Sequence, residues 1–288
     1  MTAIIGFVFL LAMVFGGYLI AGGKFGIILT ALPFEMMMIG GAAIGSFIMA
    51  NSMHDVKHTL GGFKKILKGP RYSKSDYVDI LSLLYWFVRL AQQKGAMALE
   101  AHIERPQESA AFQKFPKIAA DTHTVTLVCD YLRMIGMNAD DPHQIEDVMA
   151  RELKKLKEEE MHPSHALQTI ADALPALGIV AAVLGVIKTM ASIDQPPAVL
   201  GKMIGGALVG TFLGVLLAYG LMGPLATRLK SVVEEECKYF EVIRAVLVAH
   251  LHGNAPQVAV ETGRKMAPSH SMPSFQALEE NLQNLTIG

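Results

Sequence analysis

Histidines are the first residues to test for chemistry. His54 and His58, and His162 and His165, have spacings that put two imidazoles on one helix face, as a metal ion would need. No carboxylate or cysteine completes either set, so they read as solvated side chains and no metal is expected. No nucleophile stands beside a base, and there is no glycine-rich phosphate loop or nucleotide motif. The chain is therefore expected to be no enzyme and to need no cofactor. What remains is a hydroxyl in an apolar run, Thr211, among Gly206, Gly210 and Gly214. On its own Thr211 would bond the carbonyl four residues back. Residues 174–187 and 203–227 contain no Asp, Glu, Lys, Arg or His. Intramembrane ionisable groups usually mark an ion path, so if these segments conduct ions, the titrating acid comes from elsewhere.

The elements that must position these residues are two apolar segments within 171–225. Each is about 20 residues long, enough at 1.5 Å per residue to cross a hydrocarbon core of ~30 Å. In the first, Pro175, Gly178, Ala182 and Gly185 fall along one side of a helix. In the second, Gly206, Gly210 and Gly214 recur every four residues, beside a strip of Ala207, Thr211 and Ala218. Small faces let helices approach closely in lipid, where association rests on packing. Pro175 alone reads as a helix-start or kink proline, and Tyr219 as an interfacial anchor.

Residues 3–21 form a first apolar span, with no basic stretch ahead of it to make a cleaved leader. A second runs from about 34 to 50 and contains GGAAIGSF, which parallels GGALVGTF at 205–212 and places Gly41 and Gly45 opposite Gly206 and Gly210. Duplication and independent convergence on small packing faces both account for the likeness. Mean hydropathy is +0.37, with 52% hydrophobic and only 7% aromatic residues. The charge of -1 argues against a nucleic-acid binder. The placement of charge says more: Lys and Arg crowd into 51–169 and the tail after Thr227, leaving Lys24, Lys188 and Lys202 near the short loops. Both polar regions, and both termini, are expected in the cytoplasm.

The reading predicts an all-α membrane protein: four transmembrane helices and a large helical cytoplasmic region. Its segments are a first membrane pair (1–50), a cytoplasmic region (51–169), a second membrane pair (170–224) and a cytoplasmic helix and tail (225–288). Residues 54–67 form a basic amphipathic stretch suited to an interface. Helices are predicted at 73–93 with one buried stripe, 116–135, 143–161, onward from the fourth span to about Leu251, and 275–285. Cys129 and Cys237 are expected as free thiols.

These residues resemble the MotA family of flagellar motor stator proteins. The likeness rests on MVFGGYLIAGG, on the second-span octet, on ALPALGIVAAVLGV and VGTFLGVLLAYGLMGPLA, and on VETGRK and MPSF in the tail. The third and fourth spans are also similar to the TolQ and ExbB energising proteins, which supply the alternative reading of an outer-membrane energiser. The resemblance implies a homopentameric ring in the bacterial inner membrane around a dimeric MotB-like partner whose transmembrane aspartate carries the ion. It implies torque on a rotor through the switch protein FliG. It places Pro175, Ala182, Thr211, Tyr219 and Pro224 around the partner aspartate. Sodium-driven relatives tend to have Thr where this chain has Ala182, so protons are expected. Glu100 matches the rotor-contact glutamate; its basic companion is replaced by Gln92, with Arg89 and Lys94 as other sources of positive charge.

Overall fold

The computed structural model describes residues 2–137 and 142–285, which contain helices and no strand. In chain order the helices are α1 Thr2–Ile20, α2 Phe25–Ala50, α3 Met53–Lys68, α4 Lys74–Lys94, α5 Glu100–Glu104, α6 Ala110–Gln113, α7 Pro116–Ala119, α8 Thr122–Gly136, α9 Pro142–Met190, α10 Pro197–Leu217, α11 Gly223–Leu251, α12 Pro256–Met266 and α13 Phe275–Gln283. Residues 286–288 of the expected tail lie outside the described residues. Among the described residues, four helices are long and apolar enough to cross a membrane: α1, α2, the second half of α9, and α10 with its continuation. The chain divides into two compact units, residues 1–69 with 160–232, and 70–159 with 233–288. Helices α9 and α11 run on past the ends of the apolar segments.

The first unit is built around α2, α9 and α10, whose buried contacts include Ile39, Ala43, Leu174, Ala181 and Leu213. Helix α1 leans on this group through Phe15, whose ring lies 5.7 Å from Phe25 and 6.0 Å from Phe212. The second span begins at Phe25, earlier than the expected 34, and carries Pro33 inside it. Helix α9 likewise passes through Pro163 and Pro175. Each proline removes one backbone hydrogen bond, but Leu167, Ala171 and Leu174 are buried along the same helix, and their packing holds it together. Between α10 and α11 the chain makes one π turn, Ala218–Met222, in which the Gly223 N–H reaches the Ala218 carbonyl. Pro224 follows at once, and the wider turn relieves the clash its ring would make with the preceding turn.

Helix α3 starts on a side-chain cap, with the Asp55 N–H donating to Ser52 Oγ at 3.2 Å. It ends at Gly69, whose φ of 83° suits a glycine. Gly62 faces Leu229 and Pro163 closely, and Lys65 meets Glu160 at 2.6 Å. Met53, Leu60 and Leu67 are exposed on the other side, so the amphipathic stretch has one packed face and one bare one.

The second unit is organised by α4. The Asp76 carboxylate accepts from the Ser73 backbone N–H at 2.8 Å and from its hydroxyl at 2.6 Å, fixing the helix start. The expected single buried stripe is an underestimate: residues 80–88 are buried on every side. The extra burial comes from α8, α11, α12 and α13, which contribute Val128, Tyr131, Val242, Val246, Val260 and Leu278 to the same core. The predicted helix at 116–135 is two, α7 and α8, parted at Ala120 and Asp121. Tyr72 stacks flat on Tyr239 at 3.7 Å. Cys129 and Cys237 are both buried and in no disulfide, and burial pushes the Cys129 thiol up to about 11.

Candidate functional site

Helices α9 and α10 meet along a ladder of small residues. A Cβ added to Gly178 would lie 2.8 Å from the Gly210 carbonyl and 3.1 Å from Gly214 Cα. One added to Gly214 would lie 2.7 Å from the Leu174 carbonyl, and one added to Gly185 would lie 2.6 Å from Ala207 Cβ. The backbones therefore touch at these rungs, and only hydrogen fits between them. Gly206 stands clear, with Ala31 at 3.9 Å, and among the described residues Gly41 and Gly45 have nothing within 4 Å.

Thr211 sits at the centre of the ladder, its Cα 3.4 Å from the position a Gly178 Cβ would occupy. Pro175 and Ala182 flank the ladder on α9, both half-buried like Thr211. Tyr219 and Pro224, farther along, are exposed. The structure thus gathers Pro175, Ala182 and Thr211 into one zone and leaves Tyr219 and Pro224 at its far end. On the other side of α9, Ile179, Val180, Val183 and Val186 are bare.

Glu35 belongs to this zone, and the sequence reading passed over it. It lies inside α2, is 5% exposed, and presses its carboxyl against Gly210: an added Cβ there would meet Glu35 Oε2 at 2.5 Å. Among the described residues Oε2 has no hydrogen-bond partner. The signal was a lone acid in an otherwise apolar run; starting the span at 34 placed Glu35 at its edge, where an acid looks ordinary.

In the second unit Glu100 is exposed at the start of α5, and Gln92 and Lys94 are exposed at the end of α4. Arg89 is half-buried and turned toward its own helix, with its guanidinium 5.9 Å from the Tyr85 ring centre and Nη1 3.4 Å from the Tyr85 hydroxyl. Glu100 lines a cleft of about 670 Å³ with Glu104, Arg105 and Glu108. Of the histidine pairs, His58 approaches Glu160 at 3.9 Å and His162 approaches Asp55 at 3.8 Å. The one group of metal-ligand types that converges among the described residues is His143, Glu146 and His252. Arg244 already occupies one Glu146 oxygen at 3.2 Å.

Comparison with known proteins bears on the whole chain. A model described as the motility protein A N-terminal region matches residues 4–95. A second, the MotA/TolQ/ExbB proton channel family, matches residues 113–242. Motility protein A of Salmonella typhimurium is 41% identical over 283 residues, covering 98% of this chain and 95% of that protein. The chain belongs to the motility protein A family. Motility protein A of Escherichia coli is equally similar, at 41% over the same length and coverage. Chemotaxis protein LafT of Vibrio parahaemolyticus is 35% identical, covering 97% of this chain and 98% of that protein. The fold of the family is shared with C. jejuni MotAB, at a TM-score of 0.75, 19% identity, and coverage of 95% and 99%. The flagellar MotAB stator complex from Bacillus subtilis gives 0.71, 23% identity, and coverage of 96% and 98%.

Proposed function

We propose that the chain is a subunit of a proton-driven flagellar stator, a pentameric ring around the membrane helices of a dimeric MotB-like partner. The observation that carries this reading is family membership over 98% of the chain. The proton-channel model takes in the TolQ and ExbB energisers as well, so it is the motility protein A match at residues 4–95 that favours a motor. The four apolar helices then lie in the bacterial inner membrane. The loops at 21–24 and 191–196 face outward and both termini face the cytoplasm, which the crowding of basic residues in the polar regions supports.

In this mechanism the partner's aspartate takes up a proton and loses its charge. It then exchanges its place beside Thr211 and Pro175, and the ring steps. The bare face of α9 at Ile179, Val183 and Val186 is where the partner's helices would pack. Each proton falling through 100 mV supplies about 2.3 kcal/mol. Ala182 offers no oxygen to a hard metal cation, which supports protons over sodium. The exposed surface around Glu100, with Lys94, meets FliG, and that contact weakens with salt on the Debye scale of about 8 Å.

The test is swimming speed against sodium concentration, with and without a protonophore, in cells that depend on this chain. Speed is expected to ignore sodium, to collapse with the protonophore, to survive Ala182→Thr, and to be lost in Thr211→Ala. Speed that follows sodium would overturn the proton assignment. Normal swimming without the chain, with an outer-membrane defect instead, would move it to the energisers.

A further inference from the structure

Three observations converge on Glu35. Its side chain is 95% shut from solvent, and Oε2 has no hydrogen-bond partner among the described residues. It stands ~15 Å along α2 at 1.5 Å per residue, near the middle of a ~30 Å hydrocarbon core. It also closes the inner end of a cleft of about 850 Å³ between α2, the end of α9 and the start of α10. Lys24, Lys188 and Lys202 line the same cleft at the loop end, so the cleft runs from the short loops to the carboxyl. At about 30 Å³ per water there is ample room for a hydrogen-bonded chain of them.

We propose that Glu35 is a proton-relay site supplied by this chain itself, fed through that cleft and handing on to the partner's aspartate. The proposal rests on the stator reading above. A hydronium in the cleft gives one proton to a Glu35 carboxylate oxygen and leaves as water. The acid O–H then gives that proton to the partner's carboxylate, and Glu35 returns to its ionised form. A side chain at Gly210 would displace the carboxyl, and the next residue, Thr211, is the one the stator reading sets beside the partner's aspartate.

The cleft suits a proton better than a metal cation. A proton needs one oxygen, whereas hard cations gather about six. Apart from Glu35, the charged groups facing the cleft are the three lysines, one from the loop and one each from α9 and α10. Its Thr30 and Thr189 hydroxyls already donate to carbonyls of their own helices, at 2.9 Å each.

The test uses the purified complex with its partner in lipid vesicles, and cells carrying the same variants. Infrared difference spectra between acid and alkaline buffer are expected to show a carboxyl C=O band that disappears in Glu35→Gln and shifts in Glu35→Asp. Glu35→Gln should slow low-load rotation by about a hundredfold, the low end of what loss of a positioned proton carrier costs, while Glu35→Asp keeps most of it. If Glu35→Gln does not reach normal membrane levels, the Glu35→Asp band decides alone: a shift supports the relay and no shift overturns it. A band unchanged in both variants, or full-speed rotation by Glu35→Gln, overturns it and leaves the stator reading intact. Normal rotation in cells that lack the chain would instead remove the stator reading, whatever the infrared band does.

Discussion

Gly178 and Gly214 illustrate what one methyl group decides. Each faces backbone of the opposing helix at a distance where a Cβ would sit at about 2.7–2.8 Å. A flexible side chain can move aside, but a helix backbone cannot, so Gly214→Ala must push α9 from α10. Overpacking of this kind costs about 1–3 kcal/mol. The expected outcome is a lower melting temperature of the purified complex and less protein in the membrane. Gly41→Ala serves as the contrast: with open space around Gly41 in this chain, it should leave the protomer's stability unchanged. The repeat of small residues was legible in the sequence, yet it could not say which glycines touch. Gly41 and Gly210 read alike as letters and differ in what lies beside them. Glu35 shows the same limit from the other direction, since its burial depends on Gly210, which is distant in sequence.

At the scale of elements, start signals were more legible than ends. Ser73 and Asp76 announce α4, and the structure gives Asp76 two hydrogen bonds back to Ser73, through its backbone N–H and its hydroxyl. The Asp76 carboxyl feels burial, which raises it, but the Ser73 bonds and Lys117 outweigh that and hold it below the usual range. Ser73→Ala keeps the backbone bond, loses the hydroxyl, and should cost about 1 kcal/mol. Thermal unfolding of the complex followed by helical circular dichroism checks it, and an unchanged midpoint would mean the cap does not limit this helix. Ends were misread where prolines stood. Pro163 and Pro175 look like breaks, but α9 runs through both because the buried side chains on either side of them hold the helix. That burial is tertiary and has no local signature.

At the scale of the whole molecule, acid should weaken the second unit in two steps. His102 has its Nδ1 2.8 Å from Ser109 Oγ and its ring edge-on to Trp86 at 4.9 Å. Burial holds it below 6.5, and burial does the same to His250. A group whose folded value is depressed leaves the unfolded chain binding more protons. The stability each histidine contributes is therefore complete above 6.5 and is lost as pH falls below it. Glu261 acts lower: hydrogen bonds from Arg264, at 2.6 and 2.7 Å, hold its carboxyl below 4.5 against the opposing pull of burial. Its contribution is whole above 4.5 and disappears with further acid. Melting temperature plotted against pH should accordingly bend once below 6.5 and again below 4.5. Replacing both His102 and His250 by Gln should flatten the first bend only, and Glu261→Gln the second only. A single bend untouched by the histidine changes would show that neither buried imidazole resists protonation. None of this was readable from the residue order: His102 looks like any other polar residue in an exposed helix until Trp86, Phe87 and Ser109 are folded around it.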